Sequence, residues 1–237
     1  MPWKIKNRWL ALLAIPLFCL FINLGMWQLH RADEKSALLK SFSQRVHQAP
    51  LKVENLLDQK DLRFYRVQLV GTFDNQHTFL LDNKTHNGKI GYEVYTPFNA
   101  TGLNTPILVD RGFIQHTGSR RTLPDIPSLP DETTIVGMLN TPPRFAALGG
   151  MIDNISMQWP LRIEYIDVQQ IGDVLHKPLL SYVLTLDPKH AAALDLQWEI
   201  VTMSPERHQG YALQWFAFAM MLLILFGALN IKRNPRT

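Results

Sequence analysis

The run Arg207-His208-Gln209-Gly210-Tyr211-Ala212-Leu213-Gln214-Trp215-Phe216 stands where polar chain gives way to a long apolar stretch. On a helix, His208, Tyr211, Ala212 and Trp215 fall at i, i+3, i+4 and i+7, one stripe of one face. The stripe presents an imidazole beside two aromatic rings, with a small residue that leaves space. A neutral imidazole nitrogen is the usual axial ligand of haem iron and aromatic rings can pack on a porphyrin edge, so a flat apolar ligand carrying an iron ion suits this face. An interfacial histidine inside an aromatic belt has the same spacing. Spacing alone leaves both readings open.

Other chemistry is poorly supplied. The sequence contains no Gly-x-x-x-x-Gly-Lys loop, no Gly-x-Gly-x-x-Gly, no His-Glu-x-x-His and no Gly-x-Ser-x-Gly. Its single cysteine, Cys19, lies in an apolar run, so there is no Cys-x-x-Cys-His attachment, no thiol pair and no soft copper site. The eight histidines, at 30, 47, 77, 86, 116, 176, 190 and 208, show no His-x-His or i,i+4 pairing. No nucleophile–base or metal arrangement is recognisable, and the chain reads as a non-enzyme.

The elements that must carry the stripe are two apolar runs of 21 residues, Trp9–Leu29 and Tyr211–Ile231. As helices they reach about 31 Å at roughly 1.5 Å per residue, enough for a hydrocarbon core of about 30 Å. No small-x-small cleavage site follows the first run, which reads as an uncleaved anchor. The net charge of +4 is unevenly placed. Lys4, Lys6, Arg8, Lys232, Arg233 and Arg236 flank the runs with no acid among them, leaving 18 basic against 20 acidic residues in the middle. Nucleic-acid binding through a basic face is therefore not expected. Basic residues at both outer flanks predict both termini on the cytoplasmic side. The expected order is a cytoplasmic terminus (1–8), a span (9–29), a periplasmic β-rich domain (30–210), a second span (211–231) and a cytoplasmic tail (232–237). The short start ahead of the first span favours a bacterial inner membrane over an organelle.

Between the spans the pattern is mostly that of strands. Tyr65, Val67, Leu69 and Phe73 alternate with polar neighbours, and further strands are expected at His77–Leu81, Tyr92–Phe98, Ile107–Ile114, Thr133–Leu139, Ser181–Leu186 and Trp198–Met203. Turn clusters at Asn87-Gly88, Ala100-Thr101-Gly102, the Pro-rich 124–130 and Thr141-Pro142-Pro143 separate them. A helix from Ala32 to about His47 continues the first span, and a second starts after Asp167, with Gln170 at capping-box distance and Pro178 beyond its end. The fold class expected is a membrane protein with two transmembrane α-helices flanking an exported, mainly antiparallel β domain, α+β, barrel- or sandwich-like.

Five blocks in order give the chain a resemblance. They are Leu24-Gly25-Met26-Trp27-Gln28-Leu29-x-Arg31 with Lys35, then Arg66-Val67 with Gly71-x-Phe73, then Gly91-Tyr92 leading to Thr96-Pro97-Phe98. Leu108-Val109-Asp110-Arg111-Gly112-Phe113-Ile114 and His208-x-x-Tyr211-Ala212-x-x-Trp215-Phe216 follow. Together they resemble the surfeit locus protein 1 family, membrane-bound assembly factors of haem-copper cytochrome c oxidase, over nearly the whole chain. The family usually has Val-Asn-Arg-Gly-Trp where Asp110 and Phe113 stand here.

The resemblance implies a part in maturing the oxidase's catalytic subunit, with haem a as cofactor and His208 as its iron ligand. Tyr211 and Trp215 would complete the cofactor face. The oxidase catalytic subunit, haem a synthase and the lipid bilayer are the implied partners. Trp27 and Arg31 could line the opposite side of the site, although a membrane-boundary role explains them as well. Arg207 could pair with haem propionates or stand as a solvated charge. Arg111, in an expected strand, is read as a fold-fixing contact to a carboxylate or to backbone. A cofactor-free scaffold that stabilises an oxidase assembly intermediate is the alternative, because the same face would pack equally well against a helix.

Overall fold

The computed structural model describes residues 8–56, 61–116, 118, 122–130, 132–143, 149–152, 158–198, 200 and 203–230. The chain forms two units, Ser41–Trp198 and the pair of terminal segments Met1–Lys40 and Glu199–Thr237.

The terminal unit is helical. α1 runs from Arg8 to Val46 without a break, so the expected span and its polar continuation are one element, with its last turns in the other unit. α3 covers Pro205–Asn230. Both are long and apolar enough to cross a membrane. Polar side chains inside such a helix must satisfy themselves locally, and the Asn23 amide donates to the Cys19 carbonyl at 2.8 Å. α3 begins six residues before the expected span because Pro205 fits a first helical turn, where its missing N–H is not needed, and Glu206 suits the positive end of the dipole. His208 therefore sits on the helix proper.

The other unit is built on a seven-stranded sheet: β1 (Arg66–Phe73), β2 (Phe79–His86), β3 (Lys89–Ala100), β4 (Ile107–Gln115), β5 (Thr133–Asn140), β6 (Leu161–Ile163) and β7 (Val183–Leu186). The helix α2 (Val168–Leu175) lies between β6 and β7 in sequence. The order β1-β5-β7-β4-β3 closes on itself where Gly71, Thr72 and Phe73 of β1 meet Ala100, Asn99 and Phe98 of β3. The twelve-residue β3 does this by serving two neighbours on one side: its early residues pair with β2, its last three with β1. The result is a barrel-like ring with β2 and β6 as a wing. Most pairs are antiparallel; β2–β6 and β4–β7 are parallel.

Burial explains the pattern read from the sequence. β1 buries every second residue from Val67 to Phe73, the signature of one wet face. Val67, Leu69, Phe98, Val109, Ile135 and Leu184 fill the principal core, while Phe79, Leu81, Leu108 and Ile163 form a second one with Ile171 of α2. β4 is buried from Ile107 to Phe113 without alternation. Asn87 and Gly88, both at positive φ, make the two-residue turn between β2 and β3. The Asp167 carboxylate caps α2 as expected, accepting from the Gln169 and Gln170 N–H groups at 2.9 and 3.1 Å. The strand expected at Trp198–Met203 is not found among its described residues, 198, 200 and 203; residues 199, 201 and 202 lie outside the described set. Trp198 instead donates its indole N–H to the carbonyl of Leu186, the last residue of β7, at 2.8 Å.

Candidate functional site

His208 and Gln28 meet across 180 residues of chain. The Gln28 Oε1 lies 2.7 Å from His208 Nδ1, joining α3 to α1 within the helical unit. The imidazole is buried, at 8% exposure, and Nε2 makes no hydrogen bond among the described residues. Small residues let the two helices approach here. Ala212 is 1% exposed, and a Cβ added at Gly25 would come within 2.5 Å of the Phe216 ring.

The other members of the stripe divide. Trp215 stacks on Phe21 of α1, ring centroids 5.9 Å apart and 29° between planes, with Phe218 packed on both rings. Tyr211 is exposed, at 43%. The expected face thus contains a held imidazole, an engaged indole and a free phenol. Trp27 and Arg31 make local contacts on α1: the Arg31 guanidinium lies 5.7 Å from the Trp27 ring centre and pairs with Glu34 at 2.7 Å. Arg207 is exposed in the first turn of α3. The partner of His208 is Gln28, one of two amides, with Asn23, in the first apolar run; a polar side chain in such a run is the sequence signal that points to it. Among the described residues no three His, Cys, Asp or Glu side chains converge to hold a metal ion.

In the β unit the Asp110-Arg111-Gly112 block is a β-bulge. Val94 and Tyr95 are adjacent on β3, yet pair with Gly112 and Asp110, leaving Arg111 as the extra residue. Gly112 takes φ +103°, and a Cβ there would lie 2.8 Å from the Asp195 carbonyl oxygen. The bulge turns Arg111 inward to 2% exposure, where Nε donates to the Ala192 carbonyl at 3.2 Å and Nη2 to the Pro127 carbonyl at 3.1 Å. These are the backbone contacts read for it from the sequence, and they tie two irregular segments to the barrel. Burial depresses its pKa to about 10, so the group remains charged at neutral pH. Asp110 is also buried; its Oδ1 accepts from the Gly112 N–H at 2.9 Å and its Oδ2 from the Thr185 hydroxyl at 3.3 Å. Burial first, and then the charge of Glu93, push this carboxyl well above the ordinary range.

Two membrane-length helices with a barrel-like β domain between them in sequence define a class, that of membrane proteins carrying one β-rich domain. The profile of the SURF1 family matches residues 15–220, and the chain belongs to that family. It is 25% identical over 222 residues to a SURF1-like protein of Rickettsia felis, covering 91% of this chain and 94% of that one. A SURF1-like protein of Rickettsia bellii is 25% identical over 216 residues, 88% of this chain and 86% of the relative. Surfeit locus protein 1 of Arabidopsis thaliana is 30% identical over 124 residues, 47% of this chain and 35% of the plant protein. The family is known generally as one of cytochrome oxidase assembly factors, not of catalysts.

Proposed function

We propose that the chain assists assembly of a haem-copper cytochrome c oxidase by holding haem a at the outer face of a bacterial inner membrane for insertion into the catalytic subunit. In this reading both termini are cytoplasmic and residues 30–210 periplasmic, which puts His208 at the outer membrane surface. His208 would supply a ring nitrogen to the haem iron, and Tyr211 and Trp215 would line the cofactor face. Haem a, once delivered, provides the oxidase with a redox-active iron; the chain's own residues bind and orient, and a single protein ligand permits later release. The oxidase catalytic subunit and haem a synthase are the partners this handover requires.

The observation that carries the reading is the buried imidazole of His208, anchored through Nδ1 with its second nitrogen unengaged. That is the donor chemistry of an axial haem ligand. Aromatic side chains on the same stretch of α3 suit the porphyrin's apolar surface. The test is absorbance spectroscopy and pigment extraction on protein purified from cells that make haem a. Wild type is expected to carry haem a and His208→Ala to lose it. Equal haem content and identical spectra in the two proteins would remove His208 as an essential ligand.

One observation favours a second reading. The stacking of Trp215 on Phe21 shows that part of the face is used for helix packing. A cofactor-free scaffold predicts haem-free protein that co-purifies with the oxidase subunit, and intact assembly in His208→Ala.

A further inference from the structure

A carbonyl oxygen accepts hydrogen bonds and never donates one. With Gln28 Oε1 facing His208 Nδ1 at 2.7 Å, the arrangement fits a proton on Nδ1, which leaves the lone pair of the neutral ring on Nε2. We infer that Gln28 is a positioning residue: from the first helix it selects the Nδ1–H tautomer of His208 and aims Nε2 as the ligating atom. This deepens the reading of His208 as an iron ligand and rests on it.

The inference stands on three features of the helical unit. The contact is short and partly buried, so water competes poorly for either partner. An isolated histidine side chain prefers the opposite tautomer, Nε2–H, which could not ligate through Nε2 without first losing that proton. An acceptor at Nδ1 is thus what an Nε2 ligand needs. The partner also comes from the other helix. Gly25 and Phe216 set the approach of α1 to α3 close by, and Gly25 lies three residues from Gln28 on α1. The ring is therefore oriented by the helix pair, not by its own helix alone. Metal-ligating histidines usually donate their second N–H to an acceptor that fixes ring orientation and raises ligand basicity, and loss of that acceptor typically costs about 10–100-fold in affinity.

The experiment uses the full chain in phospholipid nanodiscs, with ¹⁵N-labelled histidine and two variants, Gln28→Leu and Gln28→Glu. In haem-free protein, the ¹⁵N spectra of the neutral ring in wild type should show His208 protonated on Nδ1. Gln28→Leu should move it toward Nε2–H, and Gln28→Glu, which keeps an acceptor, should leave it on Nδ1. Titration with purified haem a should then show binding about 10–100-fold weaker in Gln28→Leu. Gln28→Glu should restore the affinity and lower the reduction potential of the bound iron, since a carboxylate makes the ring a stronger base. An unchanged tautomer in Gln28→Leu overturns the assignment, as does unchanged haem a affinity in that variant. If His208→Ala binds haem a like wild type, the ligand reading fails, while the haem-free spectra still decide whether Gln28 sets the tautomer.

Discussion

Replacing Arg111 by Met keeps an unbranched apolar stem and removes the charge and donors. The Arg111 pKa is depressed by burial from the ordinary guanidinium range to about 10. At about 1.4 kcal/mol per unit this puts the cost of burying the charge at about 3 kcal/mol. Arg111→Met recovers that amount. It also loses two charge-assisted hydrogen bonds, to the Ala192 and Pro127 carbonyls. Each such bond contributes about 1.5–3 kcal/mol, and the Ala192 carbonyl, in a residue 5% exposed, would be left short of its partner. The losses, about 3–6 kcal/mol in all, meet or exceed the gain of about 3 kcal/mol, and the net destabilisation expected is about 0–3 kcal/mol. The effect should appear as a lowered Tm of the β domain in the detergent-solubilised chain. Limited proteolysis should open first near Pro127 and Ala192, the segments the guanidinium ties down. Arg111→Lys should not rescue, because one ammonium group cannot reproduce the fork that reaches two carbonyls. A Met variant as stable as wild type, with no new cleavage in either segment, would refute the tethering argument.

Two further outcomes follow from the same unit. Asp110 has a folded pKa raised by burial and by Glu93, so the native state holds its proton while the unfolded chain releases it. Its contribution to stability is full below about pH 4, near the unfolded value, and falls as pH rises toward the raised folded value. Asp110→Asn should keep the Gly112 contact, flatten that part of the pH–Tm curve and raise Tm at pH 7–8 relative to wild type; a variant with the wild-type pH slope would count against it. Asp167→Ala removes the α2 cap, which accepts two backbone N–H groups and the Gln170 amide. The expected loss is about 1 kcal/mol in chemical denaturation. Because hydrogen bonds lower the Asp167 pKa, the difference between variant and wild type should shrink as pH falls below about 4.

Elements whose signal is local were legible in the sequence. β1 alternates because only one of its faces is buried, and α2 announces itself by Asp167 ahead of an apolar stripe and Pro178 behind it. The Asn87-Gly88 turn fixes the β2–β3 hairpin within a few residues. What could not be read is what depends on distant pairing. The ring closes through three residue pairs between β1 and the end of β3, and nothing local marks Phe98–Ala100 as serving a second neighbour. β6 is three residues long and gains its strand character from lying parallel to β2. Trp198 and its apolar neighbours have strand-like composition, yet Trp198 is placed by one hydrogen bond to Leu186. Burial of Arg111 was equally hidden, since the extra residue of a bulge is set by the partner strand.

At the candidate site the histidine was legible and its partner was not, because a side-chain pair spanning 180 residues leaves no periodicity behind. The pair nevertheless explains why both polar groups stand in apolar helices. A buried donor or acceptor left alone costs about 1–3 kcal/mol, so Gln28 and His208 each lessen the cost of the other. Mutual satisfaction is not a reason to have either, however. Two apolar residues of similar shape would hold the helices together as well or better, as Gly25 with Phe216 and Phe21 with Trp215 do nearby. Helix packing accounts for the tightness of the contact and leaves the imidazole itself unexplained. In the proposed tautomer, what the pair offers beyond packing is one nitrogen with its lone pair uncommitted and its direction fixed. The proposed ligand reading uses that property, and the ¹⁵N spectra of Gln28→Leu with the haem content of His208→Ala decide between it and the scaffold.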